Sequence, residues 1–193
     1  GRGLDNLAYV TLSTGLGGGA IVDGHLLIGK DGNAVEVGHI TIDPDSSLTC
    51  GCGSPGHWEA HSSGNSIPNF VRHMLRDEEG SSMLYGLAGR NLKDLNAEVL
   101  FEAAKAGDAA ALRIVGELGR VNAVGFANVV NAYDPELVTI GGSIALNNPE
   151  LILAPILGNI DKHLINRKPR IMVTSLGEDV VLWGALSRAI SLI

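Results

Sequence analysis

Cys50 and Cys52 are the only cysteines of the chain; they stand one glycine apart and fall with His57 inside eight residues, while His39 precedes them. A disulfide across so short a separation would be strained and would close almost no loop. The pair is therefore either a set of metal ligands or two free thiols. Two thiolates and two imidazoles are enough to close a tetrahedral Zn²⁺ site, with sulfur at about 2.3 Å and nitrogen at about 2.0–2.1 Å. The glycines of Cys50-Gly51-Cys52-Gly53-Ser54-Pro55-Gly56-His57 let a short loop wrap one ion. Four protein ligands leave no open position, so such a site would be structural. The alternative is two reduced cysteines and two unrelated histidines on a flexible loop. Glu36 lies three residues before His39, and Glu59 two after His57. Carboxylates held on a metal-organised loop suit the vicinal hydroxyls of a sugar, whereas ordinary glutamates are simply solvated. His25, His61, His73 and His163 show no comparable grouping and read as ordinary surface or core histidines.

Two glycine clusters add a different chemistry. In Ser13-Thr14-Gly15-Leu16-Gly17-Gly18-Gly19 the glycines allow successive N–H groups to point into one concavity, and the hydroxyls of Ser13 and Thr14 add donors, which suits a phosphate. No lysine follows the last glycine and a strand comes next, so this is not a P-loop. A glycine-rich hairpin without a ligand remains the alternative. Ile140-Gly141-Gly142-Ser143 falls at the carboxyl end of a strand, where open α/β sheets place ligands. It reads either as a place for a nucleotide to lie against backbone or as a tight strand-to-helix turn.

The elements that must position these groups follow from periodicity. Leu7–Ser13 reads as a strand, and Gly19–Val22, Asp23-Gly24 and His25–Ile28 read as a hairpin, with Asp-Gly supplying the positive φ of its turn. A stretch from about Gly29 to Ser66 has weak periodicity and is long for a loop, which marks it as functional or disordered. Helices are expected from Ser66 to Gly80, after the cap Asn96 through Lys105, and from Asp108 to Pro135, the last with Leu112, Val115, Leu118 and Val121 at three-residue steps. Gly116, Gly119 and Gly125 in that long helix each cost up to about 1 kcal/mol, which close helix packing would offset. Leu137–Ile140 is a strand, Pro149 to Leu164 a helix, Arg170–Thr174 a strand, and Val180 to Ile193 a final helix. The order is three antiparallel strands, helices, then β-α-β-α. It predicts one α/β domain over residues 1–193 with a mixed five-stranded sheet and a right-handed crossover.

Composition narrows the function. The 193 residues are 45% apolar and 18% charged, enough for a real core. Fourteen Lys and Arg against twenty-one Asp and Glu, a net charge of −7, give no basic field for nucleic acid or anionic lipid. No apolar run approaches the about 18–20 residues of a membrane span, and the opening Gly-Arg-Gly-Leu-Asp-Asn lacks a signal peptide's pattern, so a soluble cytoplasmic protein is expected. The 26 glycines, about twice the usual share, cluster rather than spread, which suggests backbone brought close to a ligand.

Taken in order, these pieces resemble the ROK family (repressor, open reading frame, kinase) of sugar kinases. The match runs through Val10–Gly19, Glu36-Val37-Gly38-His39, Cys50-Gly51-Cys52-Gly53 with Gly56 and Glu59, Asp134-Pro135-Glu136 through Gly141-Gly142, and Gly184-Ala185. The resemblance implies an actin-like, ribonuclease H-like ATPase fold of two lobes that close on ATP and a sugar, with this chain as the carboxyl-terminal lobe carrying a zinc loop. It implies Thr14 and Gly15 in the second phosphate loop and Gly141 and Gly142 at the adenosine site. Glu36, His39 and Glu59 become sugar contacts, and His39, Cys50 and Cys52 become zinc ligands, with His57 where the family has a third cysteine. Ser13 replaces the glycine common at the head of the phosphate loop. The family's amino-terminal lobe carries another phosphate loop and an Asn-Asp pair whose Asp is the catalytic base; no residue here matches it, so the base is expected upstream of Gly1. The implied function is ATP-dependent phosphorylation of a hexose, of glucokinase type, using ATP with Mg²⁺ and structural Zn²⁺ in a homo-oligomer, expected to be a dimer. The alternatives are the sugar-sensing lobe of a repressor of the same family and a zinc-stabilised association module.

Overall fold

The computed structural model describes residues 1, 3–76 and 82–190. Its centre is a mixed sheet of five strands in the order β3-β2-β1-β4-β5: β1 Leu7–Leu12, β2 Leu16–Val22, β3 His25–Leu26, β4 Leu137–Gly141 and β5 Arg170–Val173. The first three are antiparallel neighbours, and β4 and β5 run parallel to β1. Alternation in Leu7–Leu12 buries Ala8, Val10 and Leu12 on one face, as period-2 patterning requires. The parallel pairing puts Thr11 opposite Gly141, so the two glycine clusters emerge at the same end of adjacent strands.

The helices are α1 Trp58–Ser62, α2 Ile67–Met74, α3 Met83–Leu87, α4 Ala97–Lys105, α5 Ala109–Tyr133, α6 Ser143–Asn147, α7 Pro149–Asn159 and α8 Val180–Ile190. Asn96 caps α4 as expected, its Oδ1 accepting from Val99 N–H at 2.9 Å. The α2 helix stops at Met74; the expected end at Gly80, and that of the last helix at Ile193, lie outside the described residues. The expected helix from Pro149 to Leu164 ends at Asn159 and tightens into a 3₁₀ turn over Ile160–His163. The short helices α1, α3 and α6 have no counterpart in the sequence reading. Each is five residues long, too short for an apolar stripe to repeat.

The long helix α5 is the spine of the core. Its buried face runs through Ala111, Ile114, Val115, Leu118, Asn122 and Phe126, while Leu112 is 43% exposed and Val121 only half-buried. Three-residue steps drift off a helix face because the true period is 3.6, which is why the expected stripe holds only in its middle. Two of the three helix glycines are explained by close packing. A Cβ on Gly119 would collide with the ring of Pro155 in α7, and one on Gly125 with the indole of Trp58 in α1; Gly116 meets nothing within 4 Å.

Asp108 starts α5 and also anchors α3. Its Oδ1 accepts from Ala111 N–H and the Ser82 hydroxyl, both at 2.9 Å, and its Oδ2 from Met83 N–H at 2.8 Å. Desolvation pushes this carboxyl up, but the bonds from Ala111, Met83 and Ser82 outweigh it and hold the group below its usual value. A depressed carboxyl stabilises the fold above its unfolded value and loses that contribution as pH falls through its folded value. Asp108→Ala should cost about 0.5–2 kcal/mol at neutral pH. Denaturation curves should show the difference between the native protein and Asp108→Ala shrinking in acid.

Candidate functional site

The long stretch expected as a loop folds into two short ladders that bring together His39, Cys50, Cys52 and His57. The first crosses Thr41 with His57 and is extended by Ile42 N–H to Gly56 O (2.9 Å) and Trp58 N–H to Ile40 O (3.0 Å). The second crosses Thr49 with Pro55 and closes in the turn Cys50–Ser54, where Cys50 N–H donates to Ser54 O and Gly53 N–H to Cys50 O, both at 2.9 Å. His39 ends the 3₁₀ turn Val37–His39 just before the first ladder, and His57 ends that ladder, so all four side chains converge.

Their donor atoms lie within 4.8 Å of one another. His39 Nδ1 is 3.3 Å from His57 Nδ1, Cys50 Sγ is 3.7 Å from His39 Nδ1, and Cys52 Sγ is 3.4 Å from His57 Nδ1. The bond lengths of tetrahedral zinc require ligand-to-ligand edges of about 3.3 Å between nitrogens and about 3.6 Å between nitrogen and sulfur. These three separations match such edges, and two thiols with two imidazoles are a donor set that zinc favours. Cys50 is buried and Cys52 exposed. Burial pushes the Cys50 thiol up to about 11, while a backbone hydrogen bond at Ser54 brings Cys52 down to about 7. Beneath the cluster His61 is 3% exposed. Its Nδ1–H donates to His57 O at 2.9 Å and its Nε2 accepts from the Ser46 hydroxyl at 3.1 Å, and burial lowers its pKa. His61 is thus a neutral core histidine that holds the backbone of His57 in place.

Glu36 meets the cluster at His39 and Glu59 meets it at Cys50. Glu36 Oε2 lies 3.9 Å from His39 Nε2, with the Glu36 side chain 59% exposed. Glu59 sits in the first turn of α1, and its Oε1 accepts from Cys50 Sγ at 3.4 Å. That turn is anchored by Trp58, which is fully buried, with its Nε1–H on Asn122 Oδ1 at 2.7 Å and its ring edge-on to Phe126 at 5.0 Å. The two cysteines, the two histidines and both carboxylates are therefore one cluster, as their grouping in sequence suggested.

The first glycine cluster is smaller than expected. Gly17, Gly18 and Gly19 are strand residues paired with Thr11, Val10 and Tyr9, so they form no concavity; the turn is Ser13-Thr14-Gly15 alone, closed by Ser13 N–H to Gly15 O at 3.0 Å. Ladder pairing satisfies the backbone of those glycines better than an open loop would. The second cluster forms a tight turn: Gly142 has φ +86°, and a Cβ there would strike Leu12 O. Ser143 Oγ reaches Ser13 Oγ at 3.3 Å, so Thr14-Gly15 and Gly141-Gly142 border one another.

Beyond Ser143 opens a cavity of about 580 Å³ between α4 and α6, lined by Glu98, Phe101, Lys105, Ile144, Asn147 and Asn148 among others. Lys105 Nζ donates to Asn147 O at 3.0 Å, and Asn148 Oδ1 is a buried acceptor without a partner among the described residues. Sequence reasoning did not find these residues. Their one signal was position, on either side of the Gly141-Gly142 turn and on the helix after Asn96.

A cluster of carboxylates, imidazoles and thiols, a hydroxyl-rich hairpin turn and a cavity beside Gly142 are neighbours on one α/β domain. The profile of the ROK family matches residues 1–190, and the chain belongs to that family. It is 41% identical over 186 residues to a glucokinase of Pyrobaculum calidifontis, covering 96% of this chain and 58% of that protein. The crystal structure of a ROK family glucokinase from Streptomyces griseus in complex with glucose and AMPPNP superimposes with a TM-score of 0.82 at 33% identity, covering 96% of this chain and 61% of that one. A xylose repressor of Caldicellulosiruptor bescii is 28% identical over 97% of this chain and 47% of its own length. The chain spans about three fifths of the length of the glucokinases it matches. Among the described residues, no helix is long and apolar enough to cross a membrane.

Proposed function

We propose that residues 1–193 are the carboxyl-terminal lobe of a cytoplasmic ATP-dependent hexose kinase of glucokinase type, with an actin-like two-lobe architecture. The observation that carries this reading is the continuity of the site. Glu36, His39 and Glu59 lie at one end, Ser13-Thr14-Gly15 in the middle, and Gly141, Gly142 and the cavity at the other. A hexose, a row of phosphates and a nucleoside would occupy these in that order. Glu36 and Glu59, as carboxylates, only accept, so they receive hydrogen bonds donated by the sugar hydroxyls. His39 Nδ1 is turned toward Cys50 and His57, where it would hold the metal, which leaves Nε2 as an N–H donor to a sugar oxygen. The hydroxyls of Ser13 and Thr14 face the phosphates of ATP, whose Mg²⁺ offsets their charge. The cavity beside Gly142, with the unpaired Asn148 Oδ1, is the place for the base. The general base is assigned to the part of the relatives' length that this chain does not span.

Zinc is the ion that His39, Cys50, Cys52 and His57 would hold. When bound it cross-links the two ladders and fixes the orientation of His39. Metal analysis of protein purified without chelator should return about one zinc per chain, with both thiols protected from alkylation. A zinc-free sample whose two cysteines alkylate freely would remove the assignment. The xylose repressor similarity favours a second reading, a lobe that senses a sugar without phosphorylating it. Intact hexose binding by the full-length protein, with no hexose phosphate formed from any hexose in a panel, would select it.

A further inference from the structure

The turn that joins β1 to β2 is held by α1 and the residues just after it. Gly64 N–H donates to Ser13 O at 2.7 Å, and Asn65 N–H donates to Thr14 O at 3.1 Å. The third bond is of another kind: Leu16 N–H donates to Glu59 Oε2 at 3.0 Å. The first two are backbone to backbone and survive most substitutions; the third depends on one carboxylate. That carboxylate also reaches over the turn itself, since a Cβ built on Gly15 would lie 3.3 Å from Glu59 Oε2. A bond from an amide to a charged acceptor is among the stronger hydrogen bonds of a protein. Here it fixes the first residue of β2, immediately after Thr14 and Gly15.

We propose that Glu59 is a positioning residue for the phosphate turn in addition to its place in the hexose cluster. One side chain then ties the two parts of the site together, with Oε2 on Leu16 N–H at the turn and Oε1 on Cys50 Sγ in the hexose cluster. The inference rests on the reading of Thr14 and Gly15 as phosphate contacts. It separates two roles that a single truncation would merge, because glutamine keeps an oxygen acceptor for Leu16 N–H while losing the charge.

The test is calorimetric titration of the full-length protein with a non-hydrolysable ATP analogue and Mg²⁺, hexose absent, for the native protein, Glu59→Gln, Glu59→Asp and Glu59→Ala. Zinc content and melting temperature are measured alongside. Glu59→Gln should bind the analogue within about twofold of the native protein, while Glu59→Ala loses about tenfold. Glu59→Asp keeps the charge but is one methylene too short to reach Leu16, and should lose affinity like the alanine variant even if the latter folds poorly. Native affinity in both Glu59→Asp and Glu59→Ala, or equal losses in all three variants, would overturn the proposal. A native protein that does not bind the analogue at all would instead overturn the phosphate reading of the turn, and the proposal with it.

Discussion

Alone, the 193-residue chain is expected to yield no hexose phosphate above the background of ATP hydrolysis, while the full-length protein turns over. General-base assistance by itself is worth about 10²–10⁴ in rate. Loss of the positioning that a second lobe supplies removes more, because orienting two reactants accounts for several further kcal/mol of barrier. An apolar helix lies open at the surface of the chain. Helix α8 has no buried residue, and Val181, Leu182, Trp183, Leu186 and Ile190 are 70, 67, 53, 47 and 64% exposed. A contiguous apolar face of that kind marks an interaction surface, and the relatives are longer by the two fifths that this chain does not span. A coupled assay for hexose phosphate, run on the chain and on the full-length protein, checks the expectation. Robust turnover by the chain would require a base within these residues.

The second large effect is expected at the carboxylates. Removing a charged acceptor from a desolvated polar contact leaves the hydroxyl it served unpaired, and for Glu59→Gln this should raise the hexose dissociation constant by about 100-fold. Glu36 is more open to water, with 59% of its side chain exposed, so Glu36→Gln should cost less, about tenfold. Titration calorimetry of the full-length variants with hexose reads both, with zinc content as the control for an intact cluster. Unchanged hexose affinity in both variants would take these residues out of the site.

The strands were legible because Leu7–Leu12 alternates and Asp23-Gly24 announces its turn, and the caps Asn96 and Asp108 marked two helices through chemistry that acts within three residues. The cysteine and histidine cluster was legible for the same reason: its members are close in sequence and of rare types. What was not legible depends on contacts across the chain. The turn at Ser13-Thr14-Gly15 shrank because Gly17–Gly19 pair with β1, which local composition does not encode. Helix α1 has no side-chain cap, and its place is set by Trp58 on Asn122 and Gly125, residues more than sixty positions away. The link from Glu59 to Leu16 and the meeting of Ser13 with Ser143 exist only once β1, β2 and β4 are side by side.

Transfer of a phosphoryl group from ATP to a hexose is the function proposed for this chain. It is tested most directly by phosphorus NMR of the full-length protein mixed with ATP, Mg²⁺ and a hexose. A growing hexose phosphate resonance is expected, matched mole for mole by ADP, with no inorganic phosphate beyond background. Unchanged ATP in the presence of a hexose that demonstrably binds, or ADP appearing with inorganic phosphate and no sugar phosphate, would contradict it.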